Sequence, residues 1–376
     1  MKRNTITPRS GWEKKVEEAG LVFHSPDQTY WNEAAYYSFT SAEVDMLEKT
    51  TNDLHAMCLD AVQFVIDHNR FADLKIPDLA VPVIKRAWEA EPPAIYGRFD
   101  LAYDGKNPPK LLEYNADTPT SLLEAAVVQW YWLQDVFPKA DQFNSIHERL
   151  IAKWKELKDY LKMPLYLTNM DTTEDTMTVA YMRDTAEQAG LTCKSILIEE
   201  IGWDQEQNYF VDLELNPIRS VFKLYPWEWL LADEFGEHTL MTYGETQWVE
   251  PIWKMVLANK GILAILWEMH PNHPNLLETY FDSARWMSTY AKKPLLAREG
   301  GNITLTTAKG TVGPTDGTYG EEGYVFQALA ELPNMDGNYP VIGSWMIEQE
   351  AGGMGIRESD GPITTNLSRF VPHLFE

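Results

Sequence analysis

Cysteine is nearly absent: Cys58 and Cys193 are the only two. They lack the spacing of a zinc cluster and cannot build a disulfide framework, so reduced, partly buried thiols and a cytoplasmic protein are expected. No apolar run approaches the ~20 residues that span a bilayer. Polar residues follow Met1-Lys2-Arg3, where a signal peptide would carry its apolar core. Basic side chains are scarce, with 32 Lys and Arg against 56 Asp and Glu, a formal charge of −24. A phosphate-backbone partner such as DNA or RNA is thereby disfavoured, and any anion site must gather its cations locally. An acidic surface suits cationic small molecules such as polyamines, although solubility alone accounts for the same excess. Familiar catalytic signatures are missing too. There is no Gly-x-Ser-x-Gly elbow, no glycine loop ending in Lys-Ser/Thr and no dinucleotide fingerprint. His270 and His273 are interrupted by Pro271 and lack neighbouring carboxylates, so capping or packing is expected of them rather than zinc binding.

What is present is a folded chain. It is 44% apolar and carries fourteen Trp among 376 residues, a size that predicts two or three packed lobes. Thr40 and Glu43 form a capping box ahead of Val44, Leu47, Leu54, Cys58, Val62 and Val65 at helical spacing. A second helix is expected over 81–90, stopping before Glu91-Pro92-Pro93. Residues 95–115 read as a hairpin turned at Asp104-Gly105-Lys106-Asn107-Pro108-Pro109, and 120–135 and 144–161 as helices. From Met163 the pattern becomes strand (164–167), helix (176–189, stopped by Gly190) and strand (195–198), one βαβ-like unit. From about 290 onward the chain is strand-like and glycine-rich, and no internal repeat is visible. The expected class is α+β, divided into a helical region with a β-ribbon (1–162), a small α/β lobe (163–235) and a third region (236–376).

The sharpest local signal is Tyr96-Gly97-Arg98-Phe99-Asp100 followed by Leu112-Glu113-Tyr114-Asn115-Ala116-Asp117. Strand residues two apart share a face, so Arg98 joins Asp100 and Glu113 joins Asn115. If the two strands pair, one patch holds two carboxylates, an amide oxygen and a guanidinium. That set suits Mg²⁺, which takes few protein oxygens and fills its octahedron with water and phosphate. A solvated strand face with a surface Arg–Asp pair is the other reading. Lys260 and Lys293 stand where the sequence turns apolar or strand-like, and could clamp phosphates or simply be solvated. Arg298-Glu299-Gly300-Gly301-Asn302 could bring backbone N–H groups to a phosphate, or form a plain hairpin turn. Gly352-Gly353-Met354-Gly355-Ile356-Arg357 poses the same choice, with Arg357 a candidate phosphoryl contact. Glu174-Asp175 precede a predicted helix and could favour its N-terminus or recognise a cationic amine.

Taken in this order, these segments resemble the synthetase half of bacterial glutathionylspermidine synthase, a member of the ATP-grasp ligases, over nearly the whole chain. The anchors are Arg98-Phe99-Asp100, Glu113-Tyr114-Asn115-Ala116-Asp117, Glu250-Pro251-Ile252-Trp253, Asn259-Lys260, Lys293-Pro294, Arg298 through Asn302 and Gly355-Ile356-Arg357. The resemblance implies an ATP-grasp-like fold with an inserted lobe of the kind that precedes the ATP-grasp. It implies an ATP-dependent carboxylate–amine ligase working through an acyl phosphate. Its partners would be a small carboxylic acid and an amine, a peptide or polyamine for example, with neither nucleic acid nor membrane. ATP and two Mg²⁺ would serve as cofactors, and the oligomeric state stays open between monomer and homodimer. By the same resemblance Asp100, Glu113 and Asn115 are the metal ligands, and Lys260 and Lys293 hold the phosphates, with Arg98 and Asp100 also at the nucleotide. The Gly300 loop closes over it, Gln327, Ala328, Leu329 and Ala330 meet the adenine, and Arg98 and Arg357 stabilise the transferring phosphoryl group. Thr118 and Thr120 fall on substrate-contacting serines, and Glu174 and Asp175 on a Glu-Glu pair. There are departures. No amidase half precedes the synthetase, Leu224 stands where a threonine is expected, and Asp175 replaces Glu, so a different acid and amine are implied. A nucleotide-binding relative without catalysis, or a phosphotransferase acting on an acid or alcohol, are the alternatives.

Overall fold

The computed structural model describes residues 1–26, 28–365 and 368–376. Helices and strands are mixed, in an α+β arrangement. The helix Ser41–Asp67 starts at a complete capping box: the Thr40 hydroxyl accepts the Glu43 N–H and the Glu43 carboxylate accepts the Thr40 N–H at 2.9 Å. Its predicted apolar stripe is buried throughout, and Thr51 Oγ lies 2.6 Å from Ser344 Oγ, pinning the helix to the back of a sheet. Val81–Ala90 is the second helix; it stops with Glu91 in the left-handed region at φ 46°, ahead of the two prolines. Among the described residues no helix is long and apolar enough to cross a membrane. His270 caps a helix and His273 bonds within the following turn, and both cysteines are free thiols, as expected.

The predicted hairpin exists as Tyr96–Ala102 paired with Lys110–Asn115. Phe99 faces Tyr114 across the ladder, and their rings stack at 3.8 Å on the core side. Alternation then sends Arg98 and Asp100, opposite Asn115 and Glu113, to the other face. The ribbon does not stand alone. Tyr96–Ala102 also pairs with Tyr339–Ile347, which continues through Glu350–Ser359 to Arg369–Val371 in one five-stranded antiparallel sheet. That sheet therefore joins two of the three expected regions, because its inner pairing is non-local and leaves no trace in short-range pattern.

The small lobe is a four-stranded parallel sheet in the order Gln247–Val249, Ser220–Leu224, Leu165–Asn169, Cys193–Leu197. Leu165–Asn169 is buried on both faces, as a central parallel strand must be. Gln247–Val249 lies beyond the expected boundary at 235, so the lobe takes its edge strand from further along the chain. The crossover helix is Thr173–Gln188, starting earlier than predicted; Glu174 and Asp175 sit inside its first turn, where Thr172 accepts the Asp175 N–H. A third sheet runs Thr279–Tyr280, Tyr324–Ala328, Tyr290–Pro294, Thr304–Thr307, Gly310–Val312. A small sheet places both chain ends, Lys2–Thr5 and His373–Phe375, on either side of Ala35–Phe39.

One buried ion pair joins the lobe to the ribbon. Lys223 Nζ lies 2.6 Å from Asp117 Oδ1, both side chains almost wholly shielded, and Asp117 Oδ2 accepts the Trp227 N–H at 3.1 Å. Burial pushes the Lys223 ammonium down, and Asp117 opposes the shift. Replacing one member strands the other charge. Asp117→Ala is expected to cost about 3–5 kcal/mol in urea unfolding; a loss below about 1 kcal/mol would show that the lobe is held by other contacts.

Candidate active site

The charged face of the ribbon, the third sheet and the parallel lobe enclose a cavity of about 460 Å³. The residues to which the resemblance gave a role line it: Arg98, Asp100, Glu113, Asn115, Thr118, Thr120, Glu174, Asp175, Lys260, Lys293, Gly300, Gln327, Ala328, Leu329, Ala330 and Arg357. At its floor, Arg98 donates from Nε to Asp100 Oδ1 at 2.7 Å and from Nη2 to Oδ2 at 3.2 Å. Arg357 reaches that second oxygen at 2.7 Å from a neighbouring pair of strands. The third Arg98 nitrogen donates to the Thr120 carbonyl at 2.6 Å. Gly343 makes room for this: a Cβ there would lie 2.8 Å from Arg98 Cδ. Asn115 Nδ2 spans Asp100 and Glu113 at 3.3 and 3.4 Å.

The lysines arrive from elsewhere. Lys260 lies 3.1 Å from Glu113 Oε2. Lys293 Nζ donates to the Leu112 carbonyl at 3.0 Å and to Gln327 Oε1 at 2.6 Å, while Gln327 Nε2 donates to the Leu111 carbonyl at 3.1 Å. The Gln327 side chain is thus used in joining the third sheet to the ribbon. Burial opposes ionisation of Glu113, but Lys260, Lys293 and Arg357 outweigh it and hold the carboxyl well below the usual carboxylate range. Burial pushes the Lys293 ammonium down to about 8, with Glu113 restoring part of the shift and Lys260 adding to it.

These oxygens fit a magnesium ion. Among the described residues no group of three His, Cys, Asp or Glu is gathered for a metal. Two carboxylates and an amide, already bridged by hydrogen bonds, still match an ion that draws most of its ligands from water and phosphate. The Asn115 amide needs only to turn over to present its oxygen.

Around the mouth, Arg298 donates to Thr118 Oγ1 at 2.6 Å and lies over the Trp229 ring. Burial pushes the Asp175 carboxyl up to about 6, opposed by Arg298 and aided by Glu174. Asp117, just past the ribbon, and Glu228 and Trp229, in the short helix Trp227–Ala232, also line the cavity and were not anticipated as site residues, since their local spacing carries no signal. Leu224 is there as well. The Gly352-Gly353 run is not at the cavity. Gly353 packs against the Phe143 carbonyl, where a Cβ would sit at 2.9 Å, and Arg357 instead reaches the site from further along the strand Glu350–Ser359.

Carboxylates, arginines and lysines thus converge from separate sheets on one cleft. The chain belongs to the glutathionylspermidine synthase family: the family described as "Glutathionylspermidine synthase preATP-grasp" matches residues 3–376. It is 45% identical to a Haemophilus influenzae protein named "Putative acid--amine ligase", over the full length of both. It is 29% identical to trypanothione synthetase of Crithidia fasciculata, with 85% of this chain covering 53% of that one, about half its length. Among solved structures, a glutathione synthetase-like effector from Globodera pallida shares the fold at TM-score 0.59 and 10% identity, covering 99% of this chain and 98% of its own.

Gly300 sits at φ 72°, and a Cβ on it would lie 2.5 Å from the Thr364 carbonyl oxygen. Gly300→Ala is expected to cost about 1–3 kcal/mol locally and to part the 298–302 loop from 361–364. Amide exchange in both segments should rise several-fold at an unchanged global unfolding midpoint. Unaltered exchange would show that this contact does not hold the loop.

Proposed function

We propose that the chain is an ATP- and magnesium-dependent ligase of ATP-grasp type that joins a small carboxylic acid to an amine through an acyl phosphate. One observation supports this most strongly. Four cations, Arg98, Arg357, Lys260 and Lys293, gather about the two carboxylates Asp100 and Glu113 at the floor of a shielded cleft, within a protein of charge −24. Positive charge left in excess inside low-dielectric surroundings calls for a polyanion. Triphosphate is that polyanion in this reading, lying between the ribbon and the third sheet. Lys260 and Lys293 clamp its phosphates, and the backbone at Ala328, Leu329 and Ala330 meets the base, the Gln327 side chain being already used.

The reaction in this reading draws on these positions. Asp100, Glu113 and Asn115 would hold Mg²⁺, which supplies charge neutralisation between the phosphates. An acid carboxylate oxygen attacks the γ-phosphorus, the bond to ADP breaks, and Arg98 and Arg357 hydrogen-bond the oxygens whose charge redistributes. The amine nitrogen then attacks the acyl carbon, and the C–O bond to phosphate breaks, leaving an amide. Thr118, Thr120, Glu174 and Asp175 line the side where acid and amine enter, and the Gly300 loop excludes water from the acyl phosphate. Leu224 and Asp175, which depart from the family pattern, favour an acid and amine other than glutathione and spermidine.

The test is acid-dependent ADP release with Mg-ATP over paired panels of acids and amines, with hydroxylamine as a trap. Amide product supports the ligase; hydroxamate without amide points to a phosphotransferase, and no acid-dependent turnover overturns both. Arg357→Ala is expected to lower kcat by about 10²–10³, or ~2.7–4 kcal/mol of barrier, with a much smaller change in KM for ATP. A change confined to KM would remove Arg357 from the transition state.

Lys293 also predicts a pH dependence. Its ammonium is depressed to about 8 in the free protein, and bound phosphate would raise it again. ATP affinity should be fullest below pH 8 and fall by up to about tenfold per unit above it. Lys293→Met should bind more weakly at pH 7 and lose that slope. A slope that persists in the variant would assign it to another group.

A further inference from the structure

The chemistry above leaves a buried carboxyl beside the cavity unused. Glu124 opens the π-helical turn Glu124–Val128 and is 1% exposed. The turn is wide because Gln129 sends its backbone N–H to the Glu124 carbonyl and its side-chain amide to the Ala125 carbonyl at 2.7 Å. The same amide also donates to the Met354 carbonyl at 2.8 Å, fixing the turn against the Arg357 strand. Glu124 Oε1 accepts the Tyr30 hydroxyl at 2.8 Å, and that hydroxyl lies 2.9 Å from Ser121 Oγ. Ser121 lines the cavity, one residue beyond the carbonyl that holds Arg98, with φ at 64°. Glu124 Oε2 has no hydrogen-bond partner among the described residues.

A buried carboxyl with one idle oxygen is destabilising, and among the described residues no cation bonds to it directly. The groups facing it are Tyr30 from the N-terminal segment, Glu174 from the lobe helix and Arg98 from the ribbon. Burial pushes it up to about 7, Glu174 acting in the same direction and Tyr30 and Arg98 against it. A π-turn in such a place is a recurrent mark of function.

Resting on the ligase reading, the chemistry still needs a base. An amine arrives as an ammonium ion, whose nitrogen has no free electron pair. We propose that Glu124 accepts the proton that the incoming ammonium must lose, passed to it through the hydroxyls of Ser121 and Tyr30. One N–H bond of the ammonium breaks and its proton goes to Ser121 Oγ. The Ser121 proton moves to Tyr30, and the Tyr30 proton to Glu124 Oε1, which becomes a carboxylic acid. The freed nitrogen pair forms the C–N bond. Collapse of the adduct breaks the C–O bond, whose electron pair leaves with phosphate, and phosphate takes the second nitrogen proton. Glu124 returns its proton through the same hydroxyls to solvent after product leaves. Ser121 touches the amine; Glu124 and Tyr30 act through it.

The experiment uses the full chain, the acid that gives most hydroxamate, and two nucleophiles: the panel amine that gives most amide, protonated at neutral pH, and hydroxylamine, largely uncharged there. Glu124→Gln keeps the size of the side chain and an acceptor for Tyr30. It should lose about 10²-fold or more in amide formation with that amine, yet keep acid-dependent ADP release and hydroxamate formation within a few-fold. Its residual rate with the amine should climb about tenfold per pH unit, where the unaltered enzyme levels off above its basic limb. Tyr30→Phe should show the same split between nucleophiles. Equal losses with both nucleophiles, or no loss with either, would overturn the relay while leaving the ligase standing. Absence of acid-dependent ADP release in the unaltered protein would overturn the ligase reading and the relay with it.

Discussion

Like charges held out of water repel strongly, and four cations cannot share a cleft unless carboxylates separate them. Asp100 lies between Arg98 and Arg357, and Glu113 lies beside Lys260. The ladder places these acids, because Asp100 faces Glu113 across one strand gap and Gly343 across the other. If the ribbon slipped by a single residue, Phe99 and Tyr114 would turn into the cleft and the acids into the core. The stacked rings on the apolar face and the paired charges on the polar face therefore enforce the same register. Close packing assists at Gly97, where a Cβ would collide with the Tyr114 ring.

Much of this was legible in the sequence where the determining contacts are short-range. The capping box at Thr40, the stop at Glu91-Pro92-Pro93, the charged hairpin and the βαβ order of the small lobe all depend on residues a few positions apart. Convergence was a different matter. Spacing could not tell a solvated Arg98–Asp100 pair from a buried one, since the answer depends on strands more than two hundred residues away. The edge strand Gln247–Val249, the Asp117–Lys223 pair and the role of Gly343 escaped for the same reason. Gly352-Gly353 misled because a glycine that admits a neighbouring backbone reads the same as one that admits a phosphate. The site residues were named by resemblance, and the structure brings them to one cavity; their chemical roles are proposals.

The cleft is also uneven in charge. Its floor is cationic, whereas Glu174, Asp175 and Glu299 cluster elsewhere along it with Arg298 among them. An anionic nucleotide and a cationic amine would each find the half that suits it, with the acid between.

The strand order has a consequence for how the protein is made. Tyr96–Ala102 is an inner strand whose second neighbour, Tyr339–Ile347, leaves the ribosome long afterwards. Ala35–Phe39 likewise waits for His373–Phe375. Until then the nascent chain carries two open strand edges, one of them beside unshielded acids and an arginine. Completion of the cleft thus waits for Tyr339–Ile347, and a translation product cut short before residue 339 would lack a wall of the site however well its first lobes had folded.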